Sequence, residues 1–124
     1  MAGLQGTLSA KSTRYISYNV SANVSGTEYT LYECPANCNA YMHLLFAANA
    51  DGNTTLTINW YRTRYTDTFA IIGGKNMVSG EYVQLSSGFI VMEPGDKMLV
   101  KATSSGSPNM DVLCTVEEVF RPIG

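Results

Sequence analysis

Glu93 and Asp96 flank a Pro-Gly pair in the stretch Met92-Glu93-Pro94-Gly95-Asp96, placing two carboxylates within reach of one cation. Calcium takes roughly six to eight oxygen ligands, and no spaced Asp/Asn series accompanies these two. Pro at the second position and Gly at the third fit a type II turn, so Pro94, Gly95 and Asp96 read as turn residues, with Glu93 and Asp96 at the corners. In Cys34-Pro35-Ala36-Asn37-Cys38 the spacing is wider than a thioredoxin-type pair, and Cys114 is the one further thiol for a metal set. Pro35 and Asn37 predict a turn between strands instead. Ile71-Ile72-Gly73-Gly74-Lys75-Asn76 lacks the spacing of a phosphate-binding loop and has no helix after it, which leaves a glycine hairpin.

His43 is the only histidine, so any triad or zinc site must be built on it. It lies inside the most apolar stretch of the chain, which predicts a packed or hydrogen-bonded structural role. The aromatic run around Trp60, Tyr61 and Tyr65 interleaves with Arg62 and Arg64. On a strand Trp60 faces in and Tyr61 out, and Tyr and Arg are favoured contact residues. Tyr61, Arg62, Arg64 and Tyr65 are therefore the candidate interface, for a protein partner or for a stacked sugar. These residues supply no acid-base set, so the expectation is a non-enzymatic chain with no catalytic residues, cofactor or metal.

Short strands must position these groups. Leu56, Ile58 and Trp60 alternate with Thr55, Thr57 and Asn59 at the period of a strand with one buried face. Met110, Val112, Cys114 and Val116 form a second such face, and Met98, Val100 and Ala102 a third, opposed to Lys97 and Lys101. The run YMHLLFAA, residues 41–48, is almost wholly apolar and predicts the most central strand, covered on both sides. Residues 14–20, 28–33, 68–72, 81–85 and 89–92 are shorter candidates rich in Tyr, Val, Ile and Thr. Turn signals separate them at Ser25-Gly26, Asp51-Gly52-Asn53, residues 73–76, 86–88 and 104–109, and at Pro94-Gly95. Helical periodicity is missing, so the predicted class is all-β: an antiparallel β-sandwich of jelly-roll type with eight or nine strands, or else a barrel.

A length of 124 residues fits one domain, read here as 14–124, preceded by a small polar arm at 1–13 suited to contact between subunits. Hydrophobic residues make up 45% of the chain and charged residues 15%, a sparse charge complement for a soluble monomer. A net charge of -2 with scattered basic residues predicts no nucleic-acid or membrane partner. The opening MAGLQGTLSAKSTRY has no leader pattern and no long apolar span, which makes cytoplasmic synthesis with reduced thiols the expectation.

Several motifs then fall in a suggestive order. They are Tyr32-Glu33-Cys34-Pro35-Ala36, Asn49-Ala50-Asp51-Gly52, a strand ending Trp60-Tyr61, the Glu93-Pro94-Gly95-Asp96 hairpin running on to Ala102, and a last strand ending at Glu118. Over residues 28–120 this order resembles small jelly-roll virion proteins of tailed bacteriophages. The resemblance implies a structural part of the virion, made in the host cytoplasm, with other virion proteins as partners. Capsid decoration (cement) is favoured, by a homo-oligomer, preferably a trimer, bound to the major capsid protein; a neck, tail or fibre part is the alternative. It carries over no catalytic residue, and the arm is longer and more polar than the family pattern. A carbohydrate-binding β-sandwich module, resting on Tyr61 and Tyr65, is the alternative from another class.

Overall fold

The computed structural model describes residues 13–86 and 90–120, which form strands and turns with no helix among them. In chain order the strands are β1 (Thr13–Ala22), β2 (Glu28–Glu33), β3 (Cys38–Asn49), β4 (Thr54–Arg62) and β5 (Asp67–Met77). They continue with β6 (Tyr82–Leu85), β7 (Ile90–Met92), β8 (Lys97–Thr103) and β9 (Met110–Phe120). The polar arm lies outside the described residues except for Thr13, which opens β1, and so do Phe89 and the Ser87-Gly88 part of a predicted turn.

Two antiparallel sheets result. One has the order β1-β9-β3-β6, with β7 also paired to β3, and the other the order β2-β8-β4-β5. β7 pairs with Ala40–Met42 and β6 with Leu45–Ala48, so the two are successive pieces along one flank of β3. Counted that way there are eight strand positions, four per sheet, and the chain crosses to the other sheet at every step but the β4–β5 hairpin. This is the jelly roll, an antiparallel double-sheet sandwich.

The inward rows are those the alternation marks. Leu56 and Ile58 of β4, Met98, Val100 and Ala102 of β8, and Met110, Val112, Cys114 and Val116 of β9 are all buried. Met42, Met77 and Met92 join them, and these unbranched, polarizable side chains fill irregular gaps between the sheets. The same period carries Glu118 inward, where it is fully buried.

Two expectations are corrected, and His43 takes one of its two alternatives. β3 is interior to its sheet, but only Cys38, Ala40, Met42, Leu45, Ala47 and Asn49 are buried, while Tyr41 and His43 are exposed. The run looks continuous because the outer face is itself apolar and a bulge at His43 breaks the alternation: Met42 pairs with Val116 and Leu44 with Thr115. His43 is thus hydrogen-bonded but not packed in the core, its Nε2 donating to Glu117 Oε1 at 2.8 Å. Nor do Gly73 and Gly74 form a hairpin, because both lie within β5. Leu56 pairs with Lys75 and Thr57 with Gly73, leaving Gly74, at φ 93°, as the extra residue of a bulge.

Candidate functional site

The Pro94-Gly95 turn closes between β7 and β8 through Asp96 N donating to Glu93 O at 3.0 Å, with Gly95 at φ 87°. Asp96 is far more than a corner. It is 2% exposed, and its Oδ2 accepts from Trp60 Nε1 at 3.1 Å and Glu93 N at 3.0 Å, while Oδ1 accepts from Thr63 N at 3.0 Å. Backbone bonds add Cys34 N to Asp96 O at 2.8 Å and Gly95 N to Cys34 O at 2.9 Å. The carboxylate thus joins the end of β4 and the turn after it to the β7–β8 turn, and the backbone bonds bring in the β2–β3 turn. Glu93 instead faces Arg64, at 3.5 Å. The two carboxylates therefore do not converge on one ion, and among the described residues no group of three or more His, Cys, Asp or Glu could hold a metal.

Beside this corner stand the candidate interface residues. Arg62 grips Asp67 with two bonds, Nε to Oδ1 at 2.8 Å and a terminal nitrogen to Oδ2 at 2.6 Å. That hydrogen bonding holds the Asp67 carboxyl below the usual carboxylate range and the Arg62 guanidinium above its own. The guanidinium lies 4.6 Å from the Tyr65 ring centre and 5.8 Å from that of Trp60, with Arg64 5.5 Å from Tyr65. Tyr65 sits in the turn after β4, not on the strand, and is 53% exposed; Phe69 of β5, also exposed, meets Trp60 with ring centres 6.3 Å apart. Tyr61 stands apart, since it leaves β4 on the face opposite Trp60 and Arg62. Arg62, Arg64 and Tyr65 are brought together; Tyr61 is not.

A second buried carboxylate went unread in the sequence. Glu118 accepts from Arg14 at 2.6 and 3.0 Å and from the Tyr32 hydroxyl at 2.6 Å, tying β1, β9 and β2 across the sandwich. Burial, and donation to that carboxylate, push the Tyr32 phenol far above its ordinary value. Extending the row 110, 112, 114, 116 by one step was the available signal. Cys34 and Cys38 flank the turn between β2 and β3 with sulfurs 4.0 Å apart; both are buried thiols outside any disulfide, as is Cys114. Burial pushes the Cys34 and Cys114 thiols up to about 12, so they stay protonated and unreactive. A shallow depression of about 510 Å³ between Cys34-Pro35-Ala36 and Pro94-Gly95 exposes no activated nucleophile.

The geometry defines a jelly-roll β-sandwich with an arginine-aromatic corner, and comparison with known proteins supports the fold. No family model matches the sequence, and no curated protein matches it. Among solved structures, a chain of the T13 infectious bursal disease virus particle superposes with a TM-score of 0.56 at 12% identity, over 88% of this chain and 31% of that one. The present chain thus spans about a third of the viral chain. A Bacillus endospore appendage protein, from a family of disulfide-linked pili, gives 0.55 at 12% identity over 90% of each chain. PirA gives 0.53 at 11% identity over 78% of this chain and 90% of its own. At such identities the likeness establishes the fold alone.

Proposed function

We propose that this chain is a structural subunit of a bacteriophage virion, a decoration protein that binds assembled coat subunits and stabilises the particle. The observation that carries the reading is how the carboxylates are used: in a jelly roll bearing the phage motif order, Asp96 and Glu118 are buried and saturated as struts between strands. Groups so occupied hold a shape and are not themselves available as acids or bases. Two of the superposable folds come from assembled objects, a virus particle and a pilus. Linkage by disulfides as in the pilus family does not suit Cys34, Cys38 or Cys114, whose thiols are buried. Noncovalent contact does, and Arg64, Arg62 and Tyr65 supply an exposed, charge-balanced corner for a coat subunit. Three copies per assembly unit is the expected state.

Particles lacking the protein should lose heat resistance while still delivering DNA, and adding purified protein should restore it. A neck, tail or fibre part would instead show itself as failed assembly or adsorption. Replacing Arg64 and Tyr65 together by alanine should weaken binding to particles at least about tenfold, as loss of an interface anchor does. Unchanged binding would remove this corner from the contact. The carbohydrate reading is weaker because the Tyr65 ring that would stack a sugar already carries Arg62 at 4.6 Å. A glycan array with Tyr61→Ala as control tests it.

A further inference from the structure

The two outer faces of the sandwich differ in kind. On the β2-β8-β4-β5 sheet, β4 presents Thr55, Thr57, Asn59 and Tyr61, and β8 presents Lys97, Leu99 and Lys101, a mostly polar covering as expected of a sheet face in water. The other sheet does the reverse along its centre. The bulge at His43 leaves Tyr41, Leu44 and Phe46 of β3 outside the core, with Val91 of β7 paired to Tyr41 and Leu113 of β9 paired to Phe46. Tyr82 of β6 stacks on Phe46 with ring centres 5.5 Å apart and is 62% exposed; Val91 is 40% exposed. This patch is why residues 41–48 read as a strand covered on both sides: the sequence is that of a covered strand, and the single chain covers one side.

The polar groups around the patch are satisfied within the same face. His43 bonds to Glu117 at 2.8 Å, Ser17 to Thr115 at 2.9 Å and Ser21 to Asp111 at 2.7 Å. Asp111 is held only by the Ser21 hydroxyl, while Glu117 is paired with His43, so little charge is offered to an oppositely charged partner and the complement is a mostly uncharged, apolar-rich surface. Four strand positions at about 4.8 Å spacing and strands of about 30 Å give a face of roughly 600 Å² in projection. That approaches the roughly 800 Å² per partner of a stable protein interface. A chain with only 15% charged residues offers such surface itself. We propose that a second copy of this chain covers the outer face of the β1-β9-β3-β6 sheet, making it the self-association surface of the protein. The inference stands independently of the virion reading, and this face is separate from the Tyr65 corner assigned to the coat.

Sedimentation of three purified full-length proteins at about 10 µM, where interfaces of this size are populated, tests it. The wild type should sediment as an oligomer. A Tyr82→Glu, Val91→Glu double variant, changed only at exposed positions, should sediment as a monomer with unchanged far-ultraviolet circular dichroism. Val24→Glu, comparably exposed but in the turn between β1 and β2, should remain oligomeric. A monomeric wild type, or a Tyr82/Val91 variant that stays oligomeric, overturns the proposal. So does a wild type that is monomeric alone and protected at this face only on particles, which assigns the face to a coat subunit.

Discussion

Asp96 and Tyr32 set the behaviour of single residues. Asp96 accepts from three donors, so Asp96→Ala removes the acceptor of Trp60 Nε1 and Glu93 N, both on half-buried residues, and of Thr63 N on an exposed one. One unmade bond to a buried group costs about 1–3 kcal/mol, and this one change strands several. A loss of about 3 kcal/mol or more in urea unfolding is expected, reported by the single Trp60, whose indole sits in the affected corner. A loss under about 1 kcal/mol would mean that water replaces the carboxylate there. The second prediction concerns pH. Cys34 and Cys114 have folded values near 12 against an ordinary 9, and Tyr32 lies above its ordinary 10. The folded state therefore holds these protons more tightly than the unfolded chain. Their stabilising contribution is complete below about pH 9 and is lost as pH rises toward 12. Unfolding free energy should fall across that window. Cys114→Ala should flatten part of the slope, and an unchanged slope would show that Cys114 does not titrate there.

Within β5 the adjacent glycines separate two effects that the sequence cannot tell apart. A Cβ on Gly73 meets nothing within 4 Å, and its φ is not positive; one on Gly74 meets Thr55 Cγ2 at an ordinary 3.8 Å but must sit at φ 93°. Gly74→Ala should therefore cost about 1–2 kcal/mol through the backbone alone, while Gly73→Ala should be near neutral or slightly stabilising. Equal costs in thermal melts would contradict the bulge. The pair was misread as a hairpin because Gly-Gly-Lys-Asn signals positive φ without saying whether a strand ends or bulges there. The true β4–β5 turn is Thr63-Arg64-Tyr65-Thr66, which has no Gly or Pro and places Thr66 at φ 49°. Alternation around Leu56, Ile58 and Trp60, and along Met110 to Val116, was legible because a half-buried strand enforces period two. The outer face of β3 was not, since an apolar residue does not record whether its own chain or another covers it. At the candidate site, type II turn chemistry was readable in Pro94 and Gly95. That Asp96 accepts from Thr63 was not, because the partner comes from a turn more than thirty residues away.

Taken whole, the sandwich closes by pairing its first described strand with its last. Arg14 reaches Glu118 across 104 positions of sequence, and the entire length of β1 depends on that seam, while β4 and β5 are joined by a short turn. Loop closure must be met before distant pairing is rewarded, so all-β proteins with such connectivity fold slowly, on the order of milliseconds to seconds. The same argument orders the events: the local β4–β5 hairpin packed on β8 forms first, and β1 docks last. Ile58, fully buried in β4, and Val20, half-buried in β1, are suitable probes. Ile58→Ala should cost about 2–5 kcal/mol, expressed mostly as slower folding. Val20→Ala should cost less and act almost wholly by faster unfolding, because its contacts are absent from the transition state. Stopped-flow Trp60 fluorescence over a range of urea concentrations measures both limbs. A Val20→Ala variant that slows folding as much as Ile58→Ala would place the β1–β9 seam in the nucleus and reverse this order.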